Sequence, residues 1–185
     1  KSIFRFGGIM AKEKYFTIET KMEEVDNRNY LYIRAFKQNS AIFIPLFIFT
    51  LIGTAVLVAT FKMLSLVGIV EAFAISLLLV VVATLVKIEF RHRGRIKKDK
   101  SGAIGSITTM EFFDDYMTMK ASFSDIVSKL GYNEFYGMIE TKGYYILYYS
   151  RSQATMLRKK DIAPQIKDDF ADFIHIKFEG KYRRL

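Results

Sequence analysis

The sequence AIFIPLFIFTLIGTAVLVATF, residues 41–61, contains no charged side chain over 21 residues. After Lys62 a second apolar run, LSLVGIVEAFAISLLLVVVATLV, occupies residues 64–86 and contains one charge, Glu71. A helix needs roughly 20 apolar residues to cross a hydrocarbon core about 30 Å thick. The two runs therefore predict two membrane-spanning helices, and the short connection between them makes these helices antiparallel neighbours.

The charges around the two runs predict their orientation. Arg28, Arg34 and Lys37 precede the first run, and Lys62 is the basic residue of the connection. Seven basic residues follow the second run: Lys87, Arg91, Arg93, Arg95, Lys97, Lys98 and Lys100. Basic residues collect on the cytoplasmic side of a membrane, so we expect a multi-pass protein of the cell membrane with both termini cytoplasmic. No small-residue cleavage pattern accompanies the first run, which favours an anchor over a signal peptide.

Two features of the second run go beyond hydrophobicity. Gly68, Ala72 and Ser76 recur at four-residue intervals, a row of small residues that lets two helices approach closely. This row packs the hairpin on itself or pairs two copies of the chain. Glu71 is a candidate intramembrane functional residue, because a carboxylate in hydrocarbon is costly. Its place two turns from the connection also suits an interfacial carboxylate near Lys62.

Residues 91–100 form a basic juxtamembrane segment in which six of ten residues are arginine or lysine. Such clusters attract anionic lipid heads. Nucleic-acid binding is not expected, because no aromatic residue follows Phe90 in this segment and stacking or base-edge groups are needed. His92 is expected to be solvated with the rest of this face. The predicted lipid-head contacts are Arg91, Arg93, Arg95, Lys97, Lys98 and Lys100.

The flanks of the hairpin predict an α+β domain. Residues 1–40 contain a strand signal at 15–20, a capping pair of Thr20 and Glu23, and an amphipathic helix that leads into the hairpin at residues 41–90. The predicted stripe of this helix consists of Val25, Asn29, Tyr32, Ile33 and Phe36. In residues 101–185, strand-length segments alternate with turn signals. The segments are 107–113, 116–121, 126–130, 135–141, 144–149 and 153–159. This meander suggests a small antiparallel barrel or curved sheet, to which the early strand adds one more.

A C-terminal helix closes the predicted domain. Asp161 is expected to cap it, and Pro164 suits its first turn. The apolar stripe of this helix consists of Ile166, Phe170, Phe173, Ile174 and Phe178. His175 lies on the flank of the stripe and is interpreted as a packing or surface residue, while Lys181, Arg183 and Arg184 form a basic tail.

The composition limits the chemistry. Cysteine is absent and only His92 and His175 are present, which argues against thiol catalysis and against cysteine- or histidine-rich metal sites. No cofactor is therefore expected. The net charge of +9 indicates an anionic partner, and beside a hairpin the lipid bilayer is the simplest one.

Several segments resemble the YcxB-like family of small bacterial membrane proteins. The early strand carries Phe16, Thr17 and Thr20, and the C-terminal part carries Lys159, Lys160, Phe170 and Phe173. The central match consists of Ser124, Asp125, Ile126, Ile139, Glu140, Thr141, Lys142, Tyr144 and Tyr148. The resemblance departs from the family at Pro164, which comes later than usual, and at residues 131–136, which look like an insertion. It implies a pleckstrin-homology-like (PH-like) cytoplasmic domain on a membrane hairpin and brings no known reaction.

Together these observations predict a non-catalytic membrane protein that presents a small cytoplasmic domain to a protein partner or to anionic lipid heads. Self-association into a homo-oligomer is also compatible with the small-residue row. The alternative is a subunit of a membrane transporter or membrane enzyme that uses Glu71. The carboxylates Asp114, Asp115, Asp125 and Glu140 stand at turns and strand ends without a matching base in sequence, so we do not expect an enzyme.

Overall fold

The computed structural model describes residues 13–38, 42–99, 102, 104–151 and 153–185. The chain divides into two compact units. One, the helical unit, comprises residues 23–104. The other, the β-domain, combines the residues before 23 with residues 105–185, so the chain leaves this domain and returns to it.

The helical unit contains the two predicted long apolar helices. A short helix α1 (Glu24–Tyr32) is followed by a π-helical segment (Ile33–Gln38), then by α2 (Phe43–Phe61) and α3 (Leu66–Lys98). Both α2 and α3 are long and apolar enough to cross a membrane. Lys62 turns the chain after α2 with a left-handed backbone, and Ser65 begins α3 by accepting a hydrogen bond at Oγ from the Gly68 amide, 3.1 Å away.

Helix α1 differs from the predicted amphipathic helix in its buried face. The expected stripe began at Val25, which is exposed, whereas the residues buried in α1 are Asp26, Asn27, Tyr30 and Leu31. Thr20 does not cap this helix, because it lies within the first strand of the β-domain. The start of α1 is instead held by Asp26, whose carboxylate accepts a hydrogen bond from the Glu23 amide at 2.9 Å.

The described residues of the β-domain form eight strands in two four-stranded sheets. Sheet A has the order β1-β2-β3-β4, and all its neighbours are antiparallel. Sheet B has the order β7-β6-β5-β8, with β8 parallel to β5. The strands of sheet A are β1 (Lys14–Lys21), β2 (Ile107–Phe113), β3 (Tyr116–Ala121) and β4 (Val127–Gly131). The strands of sheet B are β5 (Gly137–Glu140), β6 (Tyr144–Tyr148), β7 (Ala154–Arg158) and β8 (Tyr182–Arg184).

Of the predicted barrel or curved sheet, the barrel is wrong, because the described strands form two sheets that share no backbone ladder. A 3₁₀ turn (Tyr132–Glu134) carries the chain from β4 out of sheet A before β5 begins sheet B. At the other edge, β1 meets the end of β7 through a side chain, since Thr20 Oγ1 accepts a hydrogen bond from the Arg158 amide at 3.2 Å. The early strand is confirmed as part of this domain: β1 pairs with β2 along most of its length.

One core joins the two sheets to α4 (Lys167–Lys177). The predicted stripe of α4 is confirmed: Phe170, Ile174 and Phe178 are fully buried, and Ile166 and Phe173 pack against the same core. Ring packing organises it, with Phe112 and Phe170 edge to face at a centroid distance of 5.0 Å. Pro164 begins a 3₁₀ turn (Pro164–Ile166) that leads into α4, and the predicted basic tail contains the short strand β8.

Candidate functional site

The basic segment is part of α3. Helix α3 passes from its apolar run into the basic residues without a break and ends at Lys98. Five of the six predicted lipid-head contacts are exposed along this part of the helix: Arg91, Arg93, Arg95, Lys97 and Lys98. Lys100 lies outside the described residues. We call residues 87–98 the basic extension of α3.

If α3 crosses a membrane, its length places these basic residues at different distances from the hydrocarbon core. At 1.5 Å per residue, residues 66–86 span about 31 Å, which equals the hydrocarbon thickness, and the basic extension adds about 18 Å. The lipid-head layer is about 5–7 Å thick on each side of the hydrocarbon. In an upright helix, Lys87 and Arg91 would lie at the heads. Lys97 and Lys98 would lie about 10 Å beyond them, at the limit of electrostatic screening.

Helix α1 packs on the basic extension through a buried polar network. His92 is only 6% exposed, so the prediction of a solvated histidine is wrong. Its Nδ1 lies 3.1 Å from Asn27 Nδ2, and Asn27 Oδ1 accepts from Arg95 Nη1 at 3.4 Å. A second contact joins the helices where Arg28 Nε lies 3.1 Å from Glu89 Oε2. These contacts hold α1 against the basic extension of α3.

The small-residue row of α3 lies on its buried face. Gly68, Ala72 and Ser76 are all buried. Ser76 Oγ donates a hydrogen bond to the Thr50 carbonyl of α2 at 2.8 Å, and Thr50 is fully buried. Gly53 of α2 faces the same serine, and a Cβ added there would overlap Ser76 Oγ. In the described structure Ser76 of this row therefore contacts α2 of the same chain.

Glu71 lies on α3 next to this row but is exposed. Lys62, its expected neighbour, is also exposed, and no ion pair joins the two side chains within the described residues. Glu71 belongs to the helical unit, whereas the other acidic candidates, Asp114, Asp115, Asp125 and Glu140, belong to the β-domain.

Asp161 organises one buried ion cluster in the β-domain. Its carboxylate accepts hydrogen bonds from Arg158 Nε at 2.6 Å, Arg158 Nη2 at 3.0 Å and Thr20 Oγ1 at 2.7 Å, and from the Lys21 amide at 3.3 Å. Burial raises the pKa of Asp161, but the hydrogen bonds from Arg158 and Thr20 outweigh it and leave this pKa below its usual value. Asp161 therefore ties β1 to the end of β7 instead of capping a helix.

Glu140 at the end of β5 is the centre of a second ion cluster. Its buried carboxylate is hydrogen-bonded by Lys159 Nζ and by the Tyr182 hydroxyl. His175 Nε2 lies 3.8 Å and Arg184 Nε 3.9 Å from Glu140 Oε2. The half-exposed His175 ring also packs on Tyr182, with 4.0 Å between ring centroids, so His175 is a surface residue with a specific partner.

The Glu140 cluster also affects a neighbouring phenol. Tyr145 on β6 pairs with Glu140, and Lys159 Nζ lies 4.7 Å from the centre of its ring. Burial, with a smaller contribution from the negative charge of Glu140, raises the pKa of Tyr145 to about 12. In the described ranges, no group of three or more histidine, aspartate or glutamate side chains is placed to hold a metal ion.

Sequence patterns indicate some of these sites only in retrospect. Ile88, His92 and Arg95 recur at spacings of four and three, a helical face hidden within a charged run. The Asp161 cluster has no such local signal, because Thr20 and Asp161 are 141 residues apart. Glu140 and Tyr182 are likewise brought together only by the parallel pairing of β5 with β8.

Comparison with protein families places residues 114–174 within the model described as YcxB-like protein. The matched residues begin at the turn between β2 and β3 and end within α4, so they cover most of the β-domain and none of the helical unit. This match confirms the predicted resemblance over residues 114–174, whereas the early strand with Phe16, Thr17 and Thr20 lies outside the matched residues. Comparisons with curated proteins and with solved structures gave no match.

Proposed function

We propose that this chain, a YcxB-like protein by residues 114–174, is a non-catalytic membrane protein that presents its β-domain to anionic lipid heads or to a protein partner. α2 and α3 anchor it as a membrane hairpin, and the basic extension of α3 meets the lipid heads. The observation that carries the proposal is the continuity of α3, which joins an apolar run of membrane length to a run of exposed basic residues.

The surface of the helical unit supports a hydrocarbon environment. Large apolar side chains, among them Phe47 on α2 and Leu78 on α3, point outward, while Thr50, Ala72 and Ser76 are buried between the helices. Burial of small residues between helices whose large apolar residues face outward is typical of membrane helix pairs. In water such a large exposed apolar surface would cause association.

The charge distribution supports an orientation with both ends of the hairpin on the cytoplasmic side. The basic residues of α1 and of the basic extension flank the hairpin, whereas its connection contributes Lys62 alone. Because β1 precedes the hairpin and β2 to β8 follow it, both flanks belong to one domain on that side. The two four-stranded sheets and the C-terminal helix are compatible with the PH-like fold that the family resemblance implies.

Charge removal at two heights on α3 tests the proposal. In the full chain reconstituted in vesicles of phosphatidylcholine and phosphatidylglycerol, Arg91→Gln/Arg93→Gln should lower the association of spin-labelled phosphatidylglycerol by up to about 30-fold. The reason is that each basic residue near the heads contributes about 1 kcal/mol. Lys97→Gln/Lys98→Gln removes the same charge farther from the heads and is the matched control.

Two results would contradict the proposal. Equal association of labelled phosphatidylglycerol and labelled phosphatidylcholine with the unmodified chain would contradict the proposed contact between the basic extension and anionic lipid heads. Extraction of the chain from native membranes by alkaline carbonate would contradict the proposal that α2 and α3 anchor it as a membrane hairpin.

A further inference from the structure

The turn between β3 and β4 exposes large apolar side chains. Phe123 is 48% exposed, Ile126 75% and Val127 55%, although these residues belong to a domain whose other phenylalanines are largely packed inside. Ile107 at the start of β2 is exposed beside them. A contiguous apolar patch on a small domain marks a surface that meets a partner or a membrane. We call Phe123, Ile126 and Val127 the apolar tip.

The apolar tip lies at the end of sheet A from which the chain continues to the helical unit. Ile107 is paired with Lys21, the last residue of β1, and the Ser122 amide donates to the Ile107 carbonyl at 2.8 Å. At this end the Met22 amide donates to the Ser106 carbonyl, and the Gly105 amide donates to the Met22 carbonyl. Met22 and Gly105 are the last β-domain residues on either side of residues 23–104.

Basic residues of both sheets share this end of the domain. The Lys21 amide donates to the Asp161 carboxylate, and Asp161 also forms an ion pair with Arg158 at the end of β7. Lys159 follows Arg158, and its amide donates to the Gly143 carbonyl at 2.9 Å. Lys142 lies beside Gly143, and Arg184 ends β8 opposite Glu140. Lys21, Lys142 and Arg184 are exposed. We call these three residues the basic ring.

The acidic groups at this end are mostly engaged inside the domain. Asp161 and Glu140 are held in the two ion clusters, so the exposed charge here is mainly positive. Asp125 in the tip turn and Glu19, two residues before Lys21 on β1, are exposed and are opposing charges near this end. Apolar side chains next to cations are the combination that favours the boundary between lipid heads and acyl chains.

We propose that the apolar tip and the basic ring form a docking surface for an anionic bilayer, with Phe123, Ile126 and Val127 at the lipid heads. This inference rests on the proposed function, because the bilayer is the one that α2 and α3 span. Only two residues separate Lys21 from α1, a reach of about 10 Å between Lys21 and Glu24. A connection this short starts the β-domain close to the beginning of α1, and α1 contacts the basic extension through Asn27 and Arg95.

Spin labels test the docking without background, because the chain contains no cysteine. Three single variants of the full chain are reconstituted in nanodiscs: Ile126→Cys at the tip, Tyr136→Cys as an exposed control at the other end of the domain, and Leu78→Cys on α3. Collision of the label with oxygen and with a water-soluble nickel complex reports its depth.

With phosphatidylglycerol in the nanodiscs, the label at residue 126 should be shielded from nickel relative to the label at residue 136, and this shielding should weaken in pure phosphatidylcholine. Adding Lys142→Gln should lower the ratio of docked to undocked chains by about fivefold, which corresponds to about 1 kcal/mol for one charge at the heads. The label at residue 78 should report hydrocarbon depth in every case.

The outcomes separate this inference from the proposed function. A hydrocarbon depth at residue 78 with equal nickel access at residues 126 and 136 would overturn the docking and leave the anchor intact. An aqueous environment at residue 78 would overturn both. A label at residue 126 that is immobilised yet accessible to nickel would also overturn the docking, because it would indicate a protein contact or a second copy of the chain.

Discussion

The two units of this chain bury opposite kinds of residue. In the β-domain the fully buried side chains are large, with Phe112, Phe135, Phe170 and Phe178 among them. In the helical unit Thr50 and Ala72 are fully buried, while phenylalanine, leucine and valine line the outside of α2 and α3. Large apolar residues therefore form the core of the β-domain but the outer surface of α2 and α3. The β-domain is built for water, and the helical unit has the surface expected in hydrocarbon.

The largest expected effect compares one phenylalanine from each unit. Phe170→Ala should destabilise the β-domain by about 3–5 kcal/mol, because it leaves a cavity among packed rings. Phe47→Ala, on the exposed surface of α2, should change this stability by no more than about 0.5 kcal/mol. Tyrosine fluorescence during denaturant unfolding in detergent micelles measures both, since most tyrosines lie in the β-domain and tryptophan is absent.

A similar loss from both phenylalanine variants would break the comparison, because Phe47 would then belong to a packed core. A negligible effect of Phe170→Ala would equally remove α4 from the core of the β-domain.

The next effect concerns a charge buried inside the β-domain. Asp161→Asn should cost about 3 kcal/mol near neutral pH, because it removes the carboxylate charge that accepts two hydrogen bonds from the buried Arg158 guanidinium. The folded pKa of Asp161 lies below its usual value, so its stabilisation is complete above the unfolded pKa and is lost as pH falls through the folded pKa. The difference between the variant and the unmodified chain should therefore be constant at neutral pH and shrink in acid.

Asp172→Asn, at an exposed position of α4, is the control for Asp161→Asn. Unfolding curves between acid and neutral pH measure both variants. If both respond alike, Asp161 does not hold β1 to β7.

The smallest effect probes close packing in the helical unit. Gly53→Ala should loosen α2 from α3 by about 1–3 kcal/mol, because the added methyl group meets Ser76 Oγ. Adding Ser76→Ala should restore part of this loss, since the obstructing hydroxyl is removed. Dyes attached at Ile48→Cys and Leu79→Cys quench each other while α2 and α3 are packed together. The measured quantity is the SDS concentration at which this quenching is lost.

Gly94→Ala provides the matched glycine control, because no atom lies within 4 Å of a Cβ added there. It should leave the separation unchanged or raise it slightly through helix propensity. If the serine change gives no rescue of Gly53→Ala, the two residues do not share a contact.

Local patterns in the sequence predict much of this fold. The apolar runs give α2 and the first part of α3, and the spacing of Phe170, Ile174 and Phe178 gives α4. These elements are predictable because each is defined by neighbours three or four residues apart. The alternation in residues 15–20 likewise predicts β1, although its pairing with β2 required the structure.

The missed features depend on distant parts of the chain. β8 is only three residues long and contains two arginines, so it resembles a basic tail until it pairs with β5. Whether strands close a barrel depends on how β1 meets β7, which composition does not determine. The charged neighbours of His92 in sequence predict a solvated side chain, whereas Asn27 of α1 contacts its ring in the structure.

The separation of β1 from its partner also affects how the protein is made. Lys21 leaves the ribosome before any residue of the hairpin, and its partner Ile107 follows only after α3 has been synthesised. At about 5–20 residues per second, β1 waits roughly 4–17 seconds for β2. During that time Ile18 has no core to enter, so assembly of the β-domain must follow synthesis of both helices. A recombinant fragment that starts after α3 would lack this strand permanently.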